Sequence, residues 1–169
     1  ENVCFFSPCG TGKTRLAMML GLRACHRGDS VQFYRVIDLV NSLLDGYENG
    51  RAKALLDRIA KSRILILDEI GFIPFTKRGA EMLFAVISQG YETQVIITTS
   101  NLEFGRWNEV FGDDRLTTAI IDRIVHRSHI LSFSGPSRRL EEAMAMRGPT
   151  PELKMEDAKE ESSLGVMSP

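Results

Sequence analysis

The chain has 169 residues, a formal net charge of -1 and a hydrophobic content of 43%. This length suits one globular domain with a sizeable core and excludes two large domains. The near-zero net charge excludes a uniformly basic protein, so any contact with nucleic acid must come from a local patch. Three cysteines without zinc-like spacing, in a chain with no secretory signal or long apolar span, predict a reduced, cytoplasmic setting without membrane contact.

Short apolar runs alternate with helical patterns, which predicts an α/β fold with a mainly parallel, five-stranded sheet and helices on both faces. We predict strands at residues 3–6, 31–35, 64–67, 95–99 and 130–133. The third run has no polar alternation, which is typical of a central parallel strand covered on both faces.

The two ends of the chain differ from this pattern. The sequence enters a strand-like run directly after Glu1, so we expect the domain at residues 1–147 to lack a preceding N-terminal region. Residues 148–169 are rich in Pro, Glu, Lys, Ser and Gly and contain few large apolar side chains. Such a segment cannot bury enough surface to offset its ordering entropy, which predicts a disordered acidic tail.

A glycine-rich loop, SPCGTGKT at residues 7–14, separates the first predicted strand from the first helical pattern. Apart from its first residue it matches the phosphate-binding pattern of Gly, four residues, then Gly-Lys-Ser/Thr. Gly10 and Gly12 allow successive N–H groups to point at a phosphate, Lys13 supplies charge for the β- and γ-phosphates, and Thr14 offers a hydroxyl to Mg²⁺. The alternative is a glycine-rich turn before an ordinary helix. The predicted ATP-binding residues are Pro8, Cys9, Gly10, Thr11, Gly12, Lys13 and Thr14.

Ser7 occupies the position of the first glycine in the loop pattern. A serine there costs on the order of 1 kcal/mol if the position needs a glycine-like backbone. We therefore expect Ser7→Gly to tighten ATP binding by up to about tenfold.

Polar residues end two of the predicted strands. Asp68 and Glu69 close a buried apolar run, where a carboxylate pair is unfavourable unless it meets a cation or solvent. We predict that Asp68 helps to hold Mg²⁺ and that Glu69 polarises the attacking water. The alternative is a strand that simply ends in acidic residues. Asn101 follows the next strand and could contact a γ-phosphate, although its spacing alone favours a turn-forming role.

Longer segments resemble the AAA+ ATPases and, among them, the IstB family of insertion-sequence transposase helpers. The related DnaC-type helicase loaders share the same core. The resemblance rests on SPCGTGKT, ILILDEIGFIP, RGAEMLFAVISQGYE, IITTSNLEFGRWNEVFGDDRLTTAIIDRIVHRSHIL and GPSRRL. The acidic strand followed by Gly-Phe-Ile-Pro, and the stretch from FGRW to FGDD, are its most specific features.

The resemblance implies a three-layer P-loop fold in which the Asn101 strand lies between the loop strand and the acidic strand, and it makes Asn101 a nucleotide sensor. It implies that Arg123 is an arginine finger acting in trans, although the pattern alone favours a salt bridge with Asp122. It also implies that Arg139, or its neighbour Arg138, senses nucleotide from the C-terminal side.

The function implied by the resemblance is Mg²⁺-dependent ATP hydrolysis by a homo-oligomer that assembles on duplex DNA and assists a transposase. One alternative is a loader of a replicative helicase. Another is a non-hydrolysing nucleotide-binding or DNA-binding remnant of a mobile-element gene.

The remaining signals are weaker. A basic stretch precedes the acidic strand and is better explained by solvated helix faces than by DNA contact. It consists of Arg51, Lys53, Arg58, Lys61 and Arg63. The three histidines lack metal-ligand spacing, which predicts structural or exposed positions. Trp107 is predicted to be a packing anchor rather than a platform for base stacking.

Overall fold

The computed structural model describes residues 1–147, which are built around one five-stranded sheet. The strands are β1 (Asn2–Phe6), β2 (Val31–Arg35), β3 (Ile64–Ile70), β4 (Val95–Ser100) and β5 (Ser128–Ser132). All pairings are parallel, and the strand order is β2-β3-β4-β1-β5. The predicted α/β class is therefore confirmed, and β4 lies between β1 and β3 as the resemblance implied. The tail predicted at residues 148–169 lies outside the described residues.

Seven helices and a short 3-10 turn connect and flank these strands within the described residues. The helices are α1 (Lys13–His26), α2 (Val36–Glu48), α3 (Ala52–Ala60), α4 (Lys77–Gly90), α5 (Asn108–Phe111), α6 (Asp114–Val125) and α7 (Arg138–Arg147). The 3-10 turn is Phe104–Arg106. Two helices begin at side-chain caps, since Thr76 accepts the Gly79 N–H and Asp113 accepts the Leu116 N–H. None of the described helices is long and apolar enough to cross a membrane.

Strand β3 is longer than the sequence predicts. It continues past Leu67 to Ile70 and so includes the two acidic residues. The register with β4 shifts between Leu67 and Ile70, which indicates a bulge. Because Ile70 is fully buried and Asp68 is 2% exposed, the strand remains part of the core beyond its apolar run.

The two faces of the sheet are packed unequally. Helices α2 to α6 contribute to a large apolar core on one face, whereas α1 packs on the other through Ala17, Gly21 and Ala24. A Cβ at Gly21 would lie 2.8 Å from Ile66 Cδ1, so α1 approaches β3 closely. Because α1 follows the carboxyl end of β1 after a short loop, its N-terminus lies at the carboxyl edge of the sheet.

Trp107 packs against the segment that follows β4 and stabilises it. Its side chain is fully buried, and Nε1–H donates to the Leu102 carbonyl at 3.0 Å. Its ring packs edge-on against Phe104, whose ring meets Phe6 at the end of β1. The predicted packing role of Trp107 is therefore confirmed.

Candidate active site

The loop between β1 and α1 has the backbone of a phosphate cradle. Gly10 and Gly12 have φ angles of 84° and 101°, in the left-handed region that favours glycine. A Cβ at Gly10 would also overlap the Ser137 hydroxyl. No side chain caps the N-terminus of α1, so the positive end of the helix dipole remains available to an anion.

Lys13 is held over this loop by main-chain oxygens. Its Nζ donates to the Ser7 carbonyl at 2.6 Å and to the Pro8 carbonyl at 2.8 Å. Burial lowers the pKa of Lys13 below its ordinary value, while Cys9 and Asp68 oppose that shift. Among the side chains that the structure describes, no carboxylate lies within ion-pair distance of Lys13. Its ammonium group is therefore positioned without a neutralising partner, as an anion site requires.

The conformation of Ser7 shows whether the first position of the loop needs a glycine-like backbone. Its φ is not positive, so the backbone there needs no glycine. The side chain is 7% exposed, and its hydroxyl lies 3.2 Å from Lys13 Nζ and forms a short hydrogen bond with the Thr11 hydroxyl. The expected tightening of ATP binding by Ser7→Gly depended on a glycine-like backbone at this position, and that premise is wrong. The serine adds contacts and causes no backbone strain.

Asp68 is joined to the phosphate loop by hydroxyl groups. Its Oδ1 accepts hydrogen bonds from Thr14 Oγ1 at 2.8 Å and from Thr99 Oγ1 at 2.6 Å. The structure therefore brings the two predicted Mg²⁺ ligands, Thr14 and Asp68, into direct contact.

These oxygens fit Mg²⁺, which prefers one or two protein ligands completed by phosphate oxygens and water. Among the described residues, no group of three or more His, Cys, Asp and Glu side chains could hold a metal alone.

Glu69 is half-buried and lines the cavity next to the loop. Its φ is 62°, a conformation that residues other than glycine seldom adopt. The Glu69 N–H donates to Thr99 Oγ1 at 2.9 Å. Strained residues of this kind cluster at functional sites, which agrees with the predicted role of Glu69.

Thr99 is the site residue that sequence reasoning missed. It lies inside an ordinary strand run, and only the pairing of β4 with β3 places its hydroxyl beside both acidic residues. The strand order implied by the resemblance, combined with the threonines at the end of the run, was the signal that could have identified it.

Five of the seven loop residues predicted to bind ATP line one cavity of about 920 Å³. The cavity contacts the loop, Glu69, Asn101 and Arg139, and an apolar wall of α1 extends it. Asn101 Nδ2 lies 4.0 Å from Cys9 Sγ, at the mouth of the loop. Arg139 is exposed beside this cavity, whereas the side chain of Arg138 lies outside the described part of the structure. Their predicted sensing roles stay predictions.

Arg123 lies away from this cavity. Its carbonyl accepts from Asn2 Nδ2 at 3.4 Å, at the start of β1, whereas the phosphate loop follows the end of that strand. The guanidinium donates to the Ala119 carbonyl at 2.9 Å and lies 4.7 Å from the centroid of the Phe84 ring. Arg123 therefore does not serve its own site, and its action on a neighbouring subunit stays a prediction.

The side chains of the basic stretch are all exposed. Arg63, which is exposed, forms a salt bridge with the partly buried Asp29 at 3.0 Å. His129 pairs with Glu1 at 2.7 Å, which lowers the pKa of that carboxyl. The exposure of the stretch is compatible with solvation and equally with a contact to phosphates.

The sequence of the chain is similar to a family of known proteins. A family model described as IstB-like ATP binding protein matches residues 1–145. An insertion-sequence IS21 protein of Pseudomonas aeruginosa, named for ATP binding, is 41% identical over 142 residues. A similarly named IS5376 protein of Geobacillus stearothermophilus is 42% identical over 142 residues. The matches cover 84% of this chain but 54% and 57% of the two relatives, so the chain spans a little over half their length.

Solved structures give the same fold. The DnaI structure matches with a TM-score of 0.71 at 18% identity, covering 79% of this chain and 73% of that chain. The DnaC helicase loader matches with a TM-score of 0.67 at 19% identity, covering 79% and 78% of the two chains. AMPPCP-bound DnaA from Aquifex aeolicus matches with a TM-score of 0.68 at 21% identity, covering 86% and 45%. At these identities the likeness establishes the AAA+ P-loop fold alone.

Proposed function

The chain belongs to the IstB-like ATP-binding proteins, and from this premise we propose that it is a Mg²⁺-dependent ATPase that assembles on DNA and assists a transposase. The observation that carries the proposal is the hydrogen-bond chain from Thr14 through Asp68 to Thr99. This chain ties the phosphate loop to the acidic end of β3. A turn that merely precedes a helix would need no such connection.

Binding is assigned to the loop. The N–H groups around Gly10 and Gly12 and the charge of Lys13 meet the phosphates of ATP. Thr14 and Asp68 would hold Mg²⁺, which neutralises charge on the phosphates when it is bound.

Hydrolysis is assigned to the acidic edge of the sheet. Glu69 polarises a water molecule and accepts its proton while the water oxygen bonds to the γ-phosphorus and the bond to the bridging oxygen of ADP breaks. Asn101, which directly follows the neighbouring strand β4, would orient that water or the γ-phosphate. Arg139 faces the same cavity from the C-terminal side.

Assembly is assigned to an oligomer with shared sites. Arg123 lies at the opposite end of β1 from its own loop, which supports the proposal that it acts on the site of a neighbouring copy. Arginines that act in this way contribute about 10³ to 10⁵ in rate in other nucleotidases. The DNA and transposase contacts are proposed from the relatives, which are insertion-sequence proteins.

Loading of a replicative helicase is the second candidate, supported by the fold of the DnaC helicase loader. The family match and the insertion-sequence relatives favour the transposase helper. A non-hydrolysing remnant is the least supported reading, because Lys13, Asp68 and Glu69 are present and positioned together.

The proposed ATPase is tested by measuring phosphate release with and without duplex DNA, for the wild-type chain and for Glu69→Gln. We expect Glu69→Gln to lower the turnover rate by about 10²- to 10⁴-fold, the usual contribution of a positioned base. Glu92→Gln is a matched control, because Glu92 is exposed and also has a positive φ of 62°. Equal background release from the wild type and Glu69→Gln would rule out hydrolysis by this chain.

A further inference from the structure

We propose that Thr99 is a positioning residue that holds the Asp68 carboxylate and the Glu69 backbone, and so couples Mg²⁺-dependent ATP binding to hydrolysis. The inference deepens the proposed function and rests on it. Thr99 is 1% exposed and is assigned no contact with ATP itself. Its effect is exerted through Asp68 and Glu69.

One hydroxyl group makes both contacts. A threonine hydroxyl has one proton to donate and two lone pairs that accept. The Thr99 hydroxyl donates to Asp68 Oδ1 at 2.6 Å and accepts the Glu69 N–H at 2.9 Å. The two bonds use different parts of the hydroxyl, so they form at the same time.

The contact to Asp68 fixes a metal ligand. Asp68 Oδ1 accepts from Thr99 on one side and from Thr14 on the other. Thr14 belongs to the loop and is itself a predicted metal ligand. Thr99 is therefore the anchor that keeps Asp68 in place from the sheet.

The contact to Glu69 stabilises an uncommon backbone. Glu69 has a φ of 62°, within the region where the register of β3 and β4 shifts. The bond from its N–H to Thr99 ties that bulge to β4, and the bulge directs Glu69 to the cavity. Without the hydroxyl, the N–H loses its partner and the backbone can relax.

The test measures ATP affinity by titration in Mg²⁺ and again in EDTA, and then phosphate release, for four proteins. These are the wild type, Thr99→Val, Thr99→Ser and Thr98→Val. Valine matches threonine in shape but lacks the hydroxyl, whereas serine keeps it. Thr98 is the matched control, because it is equally buried on β4 and its side chain points to the other face of the sheet.

For Thr99→Val we expect the affinity in EDTA to stay within about twofold, since the loop is intact. The gain in affinity from Mg²⁺ and the turnover rate should each fall by about 10- to 100-fold, as for the loss of other groups that orient metal ligands. Thr99→Ser should retain both within about threefold, and Thr98→Val should match the wild type. Thr99→Ala replaces Thr99→Val, with the same expectation, if the valine variant does not fold.

Two results would overturn the proposal. One is a Thr99→Val protein that equals the wild type in Mg²⁺ gain and turnover. The other is a Thr99→Val protein whose ATP affinity falls as much in EDTA as in Mg²⁺, together with a Thr99→Ser protein that does not recover the affinity. That result would mark a purely structural role. If the wild-type chain binds ATP more tightly in Mg²⁺ than in EDTA but releases no phosphate, the ATPase proposal fails. The role of Thr99 would still be decided by comparing the Mg²⁺-dependent increase in ATP affinity between the wild type and the Thr99 variants.

Discussion

The phosphate loop and the acidic edge of the sheet lie side by side but are built in different ways. In the loop, glycines with positive φ and main-chain oxygens set the geometry, and Lys13 is held by two carbonyls. At the acidic edge, buried side chains do so, and one hydroxyl of Thr99 contacts both Asp68 and Glu69. On the proposed function, metal-independent ATP binding rests on the loop, whereas the hold on Mg²⁺ and the hydrolysis rest on the acidic edge, so substitutions should separate these two sets of properties.

The largest effect on the loop is expected for Lys13→Ala. Removing a charged donor to the phosphates should lower ATP affinity by about 10- to 100-fold, in Mg²⁺ and in EDTA alike. Because burial lowers the pKa of Lys13, its charge, and with it the affinity, should be lost at a lower pH than for an ordinary lysine. Equilibrium titration with ATP across alkaline pH measures both effects.

Arg23→Ala is the control for this change, because Arg23 is exposed on α1 and does not line the cavity. A loss of affinity that appears only in Mg²⁺ would contradict the division between loop and edge.

A smaller effect is expected for Gly10→Ala. The left-handed backbone at Gly10 and the overlap of a Cβ with Ser137 should lower ATP affinity by about tenfold, the cost of one strained position. Gly105→Ala should leave the affinity unchanged, since a Cβ there meets no atom within 4 Å and its φ is not in the left-handed region. ATP titration of both variants checks this, and equal affinities would mean that the loop does not need the Gly10 conformation.

The smallest effect is expected for Ser7→Gly, and its sign is informative. Loss of the hydroxyl contacts to Lys13 and Thr11 should weaken ATP binding by about threefold, the effect of one ordinary hydrogen bond. Ser7→Ala should give a similar loss, because it also removes the hydroxyl. Tighter binding by Ser7→Gly, measured in the same titration, would mean that the first position of the loop favours glycine after all.

The same contrast explains what could be predicted from the sequence. The loop is a contiguous motif, so its residues and the roles predicted for them follow from residue types and spacing. The sheet follows from apolar runs, because strands covered on both faces must be apolar throughout. The order of β4 between β1 and β3 came from the family resemblance rather than from the pattern.

The rest depended on contacts between distant parts of the chain. Thr99 is 31 residues from Asp68, and its role depends on the register of two neighbouring strands. The extension of β3 to Ile70 depends on a bulge that no local pattern signals. The conformation of Ser7 could not be inferred from the motif, because the motif records a residue type and not a φ angle.

The central claim is that the loop binds ATP and the acidic edge hydrolyses it. The most direct test is to measure ATP affinity and phosphate release on the same preparation of Glu69→Gln. We predict that its ATP affinity stays within about threefold of the wild type while its turnover falls by at least about 100-fold. A parallel loss of affinity and turnover, or a variant that hydrolyses ATP as fast as the wild type, would contradict the account.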